Sequence, residues 1–294
     1  MGMMLTHTAE REGKLLSFLR RELGMSVGLV KRLKYRHAFL VNGVPQFTNF
    51  PVRPGDRITV CLDEDEPDYP AEDGPLDILY EDDSVIAPDK PSGILIHPSS
   101  CRGTGTLANR LAGYYARTGQ ACLVHPVSRL DRDTYGVVLI AKNAHAHARL
   151  QERMAQGQGV KIYHACVFGG PGEDRGIWEY PIFRPDPMRM LRTVDPRGQR
   201  AVTEYRVLRR TAQTALLELR PLTGRTHQLR LHCLTAGCPI LGDPQYSTPP
   251  AAALSGALGL TGQQLCARSL TFPHPITDER IFVESRQRVW GEED

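Results

Sequence analysis

No run of eighteen apolar residues occurs in this chain of 294 residues, so no transmembrane helix is readable. The opening residues, Met1-Gly2-Met3-Met4-Leu5-Thr6-His7, lack the basic flank and apolar core of a secretory signal. The seven cysteines (61, 101, 122, 166, 233, 238 and 266) are odd in number and form no Cys-x-x-Cys pair. That pattern argues against a disulfide framework and for reduced thiols, so a cytoplasmic location is expected. A glycine-rich phosphate loop, a dinucleotide fingerprint and internal repeats are also missing. His227, His232, Cys233 and Cys238 come nearest to a metal cluster, but their spacing fits no usual zinc pattern. Neither a metal nor a cofactor is expected, and a monomer is the default state.

What is present is an ordinary globular composition, 41% apolar and 23% charged, on a chain longer than a single core usually grows. One large domain plus a small one is the expectation. The net charge of +3 hides a strong asymmetry. Residues 1–60 hold ten Lys/Arg against four Asp/Glu, residues 61–83 hold eleven acids and no base, and the remainder is again net basic. The run Asp63-Glu64-Asp65-Glu66-Pro67-Asp68, followed by Pro70, Gly74 and Pro75, reads as a solvated acidic linker over 63–75. It divides a small body, 1–62, from a large one, 76–294.

In the small body, Leu15, Leu16, Phe18, Leu19 and Leu23 fall at helical spacing and Gly24 is a C-cap candidate. Ser26 is placed to cap a second helix carrying Val27, Val30 and Leu33, with Lys31, Arg32, Lys34 and Arg36 on or near one surface. A short strand Ala38-Phe39-Leu40-Val41, the turn Asn42-Gly43 and the strand Arg57-Ile58-Thr59-Val60 follow. Basic helix, short strand, "VNG" and "PGD" in this order resemble the S-four-like (alpha-L) RNA-binding module. The resemblance implies a small α/β domain in which Lys31, Arg32, Lys34 and Arg36 face structured RNA.

The large body turns β-rich. Strands are expected at 77–80, 85–87, 137–141, 160–168, 202–208, 215–219 and 281–283, with a helix capped by Asn143 and running to about Gln156. A mixed, largely antiparallel α+β domain with flanking helices is the architecture these elements predict.

Two clusters carry chemistry. In Ser128-Arg129-Leu130-Asp131-Arg132-Asp133-Thr134-Tyr135-Gly136, Asp131 is flanked by two guanidinium groups that favour its ionised form, which makes it a nucleophile candidate. A structural ion-pair network would leave the same pattern, and spacing alone does not separate the two. In Gly224-Arg225-Thr226-His227-Gln228-Leu229-Arg230-Leu231-His232, four side chains able to meet phosphates or bases (Arg225, His227, Gln228 and Arg230) crowd six positions. A merely wet amphipathic face is the alternative there.

Taken in order, "ILYEDD…DKPSGILIHP", "SRLDRDTYG", "KIYHACVFG", "GRTHQLRLHCLTAGCPILGDPQY" and "LTFPHP" resemble the RluA family of pseudouridine synthases across about residues 76 to 277. The resemblance implies a cofactor-free isomerase that converts specific uridines of ribosomal or transfer RNA to pseudouridine. It assigns Asp131 as the residue that attacks C1′ or takes a proton from C2′, with Arg225 holding that carboxylate charged. It assigns Tyr163 to pack on the uracil ring, with a part in the final C5 deprotonation also discussed for it, and Leu229 to floor the base. Arg129 fills the stack vacated by a flipped nucleotide. Arg132 and Arg230 become phosphate or active-site supports, and Lys161 takes a charge or packing role in the same pocket. Asp133 and Thr134 are expected to close the loop by accepting nearby backbone hydrogen bonds. Ser128 and Tyr135 stand where the family commonly has histidine and serine, which puts the loop's fit to RNA in question. An RNA-binding protein of the same fold without catalysis, and a nucleoside or glycoside hydrolase, are the competing readings; the hydrolase needs a second carboxylate, for which Asp133 is the nearby candidate.

Overall fold

A computed structural model describes residues 4–25, 27–34, 38–62, 69–98, 103–186 and 188–292. Ser26, Arg36, the side chain of Arg32 and the acidic run 63–68 lie outside the described residues. The small body comprises β1 (Met4–Thr8), β2 (Gly13–Lys14), α1 (Leu15–Arg21), α2 (Val27–Lys34), β3 (Phe39–Val41), β4 (Val44–Pro45), β5 (Pro51–Val52) and β6 (Arg57–Cys61). Its sheet runs β1-β6-β3-β4, and Leu5, Phe18, Leu19, Leu33, Phe39 and Ile58 close one core beneath the two helices. The expected turn is present: Asn42 and Gly43 both take positive φ, 53° and 81°, as a two-residue hairpin requires. Strand β1 was not expected; its alternation over Met4-Leu5-Thr6-His7-Thr8 buries only Leu5.

The large body begins with β7 (Ile78–Glu81), β8 (Val85–Lys90), α3 (Leu107–Thr118), β9 (His125–Pro126), β10 (Tyr135–Val137), β11 (Ile140–Ala141) and α4 (Ala144–Ala155). It continues through β12 (Val160–Phe168), β13 (Arg175–Glu179), β14 (Ile182–Phe183), β15 (Thr193–Val194), β16 (Val202–Arg210), β17 (Thr214–Pro221), α5 (Gln228–Thr235), α6 (Pro249–Ala257), β18 (Leu265–Pro273) and β19 (Arg280–Glu284). One mixed sheet runs β13-β16-β17-β12-β18-β10-β8-β11-β9, with β19 on β18 and β7 on β8. Among the described residues only β10 and β18 pair in parallel, so the expected largely antiparallel α+β architecture holds.

Three local outcomes differ from expectation. The strand expected over 137–141 is split into β10 and β11, although both continue one register against β8. Pro88 of β8 accepts from Val138 N–H at 3.1 Å but has no N–H to return, and the ladder lapses there. The second half of the expected linker, 69–75, is docked rather than solvated: Asn109 donates to the Pro70 carbonyl at 2.9 Å, and Gly105 N–H donates to Glu72 Oε2 at 2.8 Å. Gly113 on α3 lets the Glu72 backbone come so close that a Cβ would overlap it. Helix α3 itself was missed; Thr106 and Asn109 close a buried capping box at its start.

This packing buries two imidazoles without charge partners that would favour protonation. Burial, aided by the Arg149 charge, lowers the His145 pKa to about 4. Burial lowers His232 to about 4 as well, against the opposing bond to the Tyr180 carbonyl. In the unfolded chain both take a proton near 6.5, so between about 6.5 and about 4 the unfolded state binds more protons. Stability is therefore expected to fall as pH drops through that window, and urea midpoints measured across it should track the loss. His145→Gln with His232→Gln should flatten the dependence.

Candidate active site

Asp131 stands on the loop, 127–134, that joins β9 to β10 at the middle of the sheet. Ser128 is buried, and its Oγ accepts from Leu139 N–H at 3.0 Å, tying the base of the loop to the strand break described above. Tyr135 is buried too, its hydroxyl near Gln264 Oε1 and the Arg288 carbonyl at 3.4 and 3.2 Å. The two positions that were expected to bear on RNA fit therefore frame the loop from inside. Thr134 is buried and accepts from the Gln263 side chain, not from nearby backbone as expected. Asp133 does not accept nearby backbone bonds as expected either: its carboxylate is spent on a two-point bond with Arg132 at 2.9 and 2.9 Å, and only its main-chain carbonyl ties the loop down, accepting from Ser92 Oγ at 3.0 Å. Arg132 and Arg129 are exposed.

A lysine of the DKPSG segment, Lys90, holds this loop from below. Lys90 is fully buried, and its Nζ donates to the carbonyls of Pro91, Ile94 and Arg132 at 2.9, 2.9 and 2.8 Å. Burial pulls its pKa down to about 7 while the charges of Asp133 and Asp131 oppose that pull. Three carbonyls match the three N–H groups of an ammonium, one more than a neutral amine supplies. Gly93 N–H reaches the same Arg132 carbonyl at 3.1 Å.

Above the loop, Arg230 of α5 donates from Nη1 to Asp131 Oδ2 at 3.0 Å. The rest of its guanidinium is gripped by Asp243, with Nε–Oδ2 at 2.6 Å and Nη2–Oδ1 at 2.8 Å, and the plane lies 4.8 Å from the Tyr246 ring centre. Desolvation opposes the charge on Arg230, but its bonds to Asp243 and Asp131 outweigh burial and raise its pKa. Asp131 keeps a side chain 29% exposed, whereas that of Asp243 is 0% exposed. One carboxylate is thus locked away and the other opens to solvent.

The sequence assigned the Asp131 partner to Arg225, and the structure corrects this to Arg230. Arg225 lies before the helix, where Nη1 donates to Gln199 Oε1 at 2.8 Å and Nε to the Arg200 carbonyl at 3.2 Å. It lines a groove of about 520 Å³ with Arg184, Arg192 and Arg197, between the β14–β15 hairpin and the 224–226 turn. Gln228, one of the four expected contacts, is buried and bonds Thr223, Val202 and Thr203 instead. His227 has turned inward: its Nδ1 is 2.8 Å from the Tyr246 hydroxyl and its Nε2 is 3.9 Å from Asp131 Oδ2. Neither His227 nor Tyr246 had been separated from its neighbours by sequence pattern.

Tyr163 sits on β12, one strand from β10 across β18, where the register against β18 skips Arg268 between Ile162 and Tyr163. It packs on the same apolar cluster as Leu229. Burial first, then the Asp131 charge, pushes its hydroxyl well above the usual tyrosine range. Lys161, two residues earlier, has its pKa lowered by burial. On α2, Lys31 and Lys34 are exposed. Among the described residues no group of three or more His, Cys, Asp or Glu is arranged to hold a metal, and no helix is long and apolar enough to cross a membrane.

Comparison with known proteins bears on this geometry. Residues 84–235 match the family described as RNA pseudouridylate synthase. A Bacillus subtilis protein named uncharacterized RNA pseudouridine synthase YhcT is 35% identical over 97% of this chain and 93% of its own length. Ribosomal large subunit pseudouridine synthase D of Nitrosomonas europaea is 36% identical over 79% of this chain and 68% of its own. Among solved structures, human RNA pseudouridylate synthase domain containing 4 aligns with TM-score 0.56 and 30% identity over 71% of this chain and 88% of that one.

Lys90 is expected to be the residue on which loop position depends. Lys90→Met leaves the part-buried carbonyls of Pro91 and Ile94 without their donor and the Arg132 carbonyl with Gly93 N–H alone, and should destabilise the protein by about 2–4 kcal/mol in denaturant titrations. Amide hydrogen exchange at Gly93 and across 131–134 should accelerate beyond that of the sheet; uniform acceleration would show that Lys90 supports the core and not the loop.

Proposed function

The chain belongs to the RNA pseudouridylate synthase family, which makes it an isomerase acting on RNA, and from that premise we propose that Asp131 opens the glycosidic bond of a flipped-out uridine in ribosomal RNA. The relatives named for the ribosomal large subunit support ribosomal over transfer RNA as substrate. The observation that carries the proposal is the Asp131–Arg230 pair, in which a carboxylate is fixed by a buried, doubly anchored guanidinium yet opens to solvent.

The reaction breaks N1–C1′, forms C5–C1′, and moves one proton from C5 to N1 by way of solvent, so nothing is consumed. Electron demand at C1′ is met by an anion that either attacks C1′ or takes a proton from C2′, and Asp131 is suited to both. Arg230 aims it through a charge-assisted hydrogen bond of 3.0 Å. A hydrolase would need a second free carboxylate; Asp243 is consumed by Arg230 and Asp133 by Arg132. Tyr163 and Leu229 supply an apolar seat for the uracil ring, which must stay bound while it turns. Lys161 borders that seat as a half-buried cation or packing stem.

Extruding a base from structured RNA costs a few kcal/mol. Arg129, exposed two residues before Asp131, has the planar head that fills a vacated stack. The groove lined by Arg184, Arg192, Arg197 and Arg225 offers charge to the flanking phosphates, and Arg132 adds to the same rim. Residues 1–62 act as an S-four-like anchor, with Lys31, Arg32, Lys34 and Arg36 on the RNA.

Asp131→Asn should abolish tritium release from ribosomal RNA transcribed with C5-tritiated uridine while leaving RNA affinity within about threefold, since a neutral amide keeps the shape but not the charge. Retained turnover would sink the assignment, and free uracil in place of pseudouridine would turn it into hydrolysis. Removing residues 1–62 takes away about six net positive charges, so the salt dependence of RNA binding should become shallower. An unchanged slope would refute the anchor.

A further inference from the structure

The imidazole beside Asp131 has no part in the scheme above, and its placement is unusual. His227 adopts φ 58°, ψ 20°, a left-handed backbone that non-glycine residues seldom take, at the entry to α5. Such an outlier, held in a buried site, points to a side chain whose position matters. The turn carries the ring into the gap between Asp131 and Tyr246, edge-on to Tyr246 with ring centres 5.4 Å apart.

Its hydrogen bonds fix which nitrogen bears the proton. The Tyr246 hydroxyl already accepts from Arg192 N–H at 3.0 Å, and an Nδ1–H donor would leave its hydrogen without an acceptor among the described residues and turn an Nε2 lone pair on the Asp131 carboxylate; donation from Tyr246 to His227 Nδ1 at 2.8 Å avoids both. A neutral imidazole that accepts at Nδ1 carries its hydrogen on Nε2. That Nε2–H faces Asp131 Oδ2 across 3.9 Å, too far for a direct bond. An oxygen seated about 2.8 Å from both atoms would subtend an angle of about 90°, which one hydroxyl meets by accepting from His227 and donating to the carboxylate. The gap is therefore a two-point seat for a hydroxyl group.

Resting on the pseudouridine synthase reading, we infer that His227 and Asp131 together seat the 2′-hydroxyl of the target ribose. Within an RNA strand the 3′ and 5′ oxygens are esterified, so the 2′-hydroxyl is the one free hydroxyl on an internal sugar. It sits on the carbon next to C1′, where Asp131 must act. Seating it orients the sugar against the carboxylate and makes the site selective for RNA over DNA. His227 thereby becomes a catalytic residue through contact with substrate, and Tyr246 a positioning residue that sets its tautomer.

Two substitutions separate the imidazole from the backbone it stands on. His227→Asn tolerates the left-handed turn and keeps a polar atom near the Nδ1 position, but removes the donor facing Asp131. His227→Gln reaches the Nε2 position with an amide N–H. Single-turnover tritium release from C5-tritiated large-subunit ribosomal RNA transcripts, made with ordinary uridine or with 2′-fluorouridine, gives the readout. On ordinary RNA, Asn should slow release by about 10- to 100-fold and Gln should recover most of it. The 2′-fluoro substitution slows every enzyme through its intrinsic effect on C1′, and that factor cancels in the comparison. Wild type should lose about tenfold more to 2′-fluoro than His227→Asn does, because the variant has already lost the contact. Equal losses would overturn the seat even if His227→Asn is slow, by showing that its effect is structural. A wild-type protein that releases no tritium from ordinary RNA would overturn the parent reading, and this one with it.

Discussion

Arg230 is a charged group placed where charge is expensive, and much of the site follows from how that is resolved. A guanidinium with a side chain only 7% exposed needs a carboxylate, or its burial would cost several kcal/mol. Asp243 supplies it from the turn Gly242-Asp243-Pro244, engaging two nitrogens and accepting in addition from Gln245 and Tyr246 N–H at 2.9 Å each. Fixing a planar fork at two points fixes the third. Nη1 therefore has one direction available, and Asp131 is found along it. A lysine in this place would donate as a point and leave the direction open.

The other side of Asp131 is built by a different device for the same end. The loop that carries it returns to the sheet at β10, where Gly136 pairs with both Lys90 and Ala267 and has φ 106°. A Cβ at Gly136 would run into the Ala267 backbone, so β18 approaches this closely only because the position is glycine. Lys90 then rises from the same ladder to hold the Arg132 carbonyl. Strand β18, placed by that contact, carries β12 and hence Tyr163 on its far edge. Carboxylate, guanidinium and tyrosine come from three distant segments: Tyr163 is placed by strand registers, Asp131 by the Lys90-held loop, and Arg230, on α5, by Asp243.

These registers also explain what was legible in the sequence. Strand β12 and helix α4 were read with nearly their observed bounds, although β12 does not alternate in burial and runs through the consecutive buried residues Ala165, Cys166 and Val167; Asn143 caps an uninterrupted helical run, its Oδ1 accepting from Ala146 N–H at 2.8 Å. Asp131 was legible as part of a charged cluster with Arg129 and Arg132, although Arg132 does not hold it and bonds Asp133 instead. Its true partner was not, since Arg225 and Arg230 share one segment and composition does not reveal where α5 begins. The left-handed turn at His227 decides it, sending Arg225 outward and Arg230 inward in the first helical turn. Lys90 was hidden for a similar reason: three carbonyls from separate turns converge on it, and backbone acceptors leave no mark in a sequence. The break between β10 and β11 had a visible cause in Pro88, but its effect appears only once β8 is known to be the neighbour.

The protonation states that result are unequal in a way that sorts the roles. Arg230 has its pKa raised by its carboxylates and Tyr163 by burial and the Asp131 charge, so both hold their protons across the neutral range. A phenol in that condition is a poor base at neutral pH, and the step that removes the C5 proton falls more naturally to solvent or to Asp131 after the sugar bond has re-formed. In the proposed scheme Tyr163 then contributes its ring face. That contribution has its own value, because an isomerisation that detaches and reattaches the same base succeeds only if the base is retained. An apolar wall shared with Leu229 retains a planar ring and still lets it turn, whereas fixed hydrogen bonds to every edge would retain it and forbid the turn. In the proposed scheme the charged groups would thus serve the sugar and the apolar groups the base.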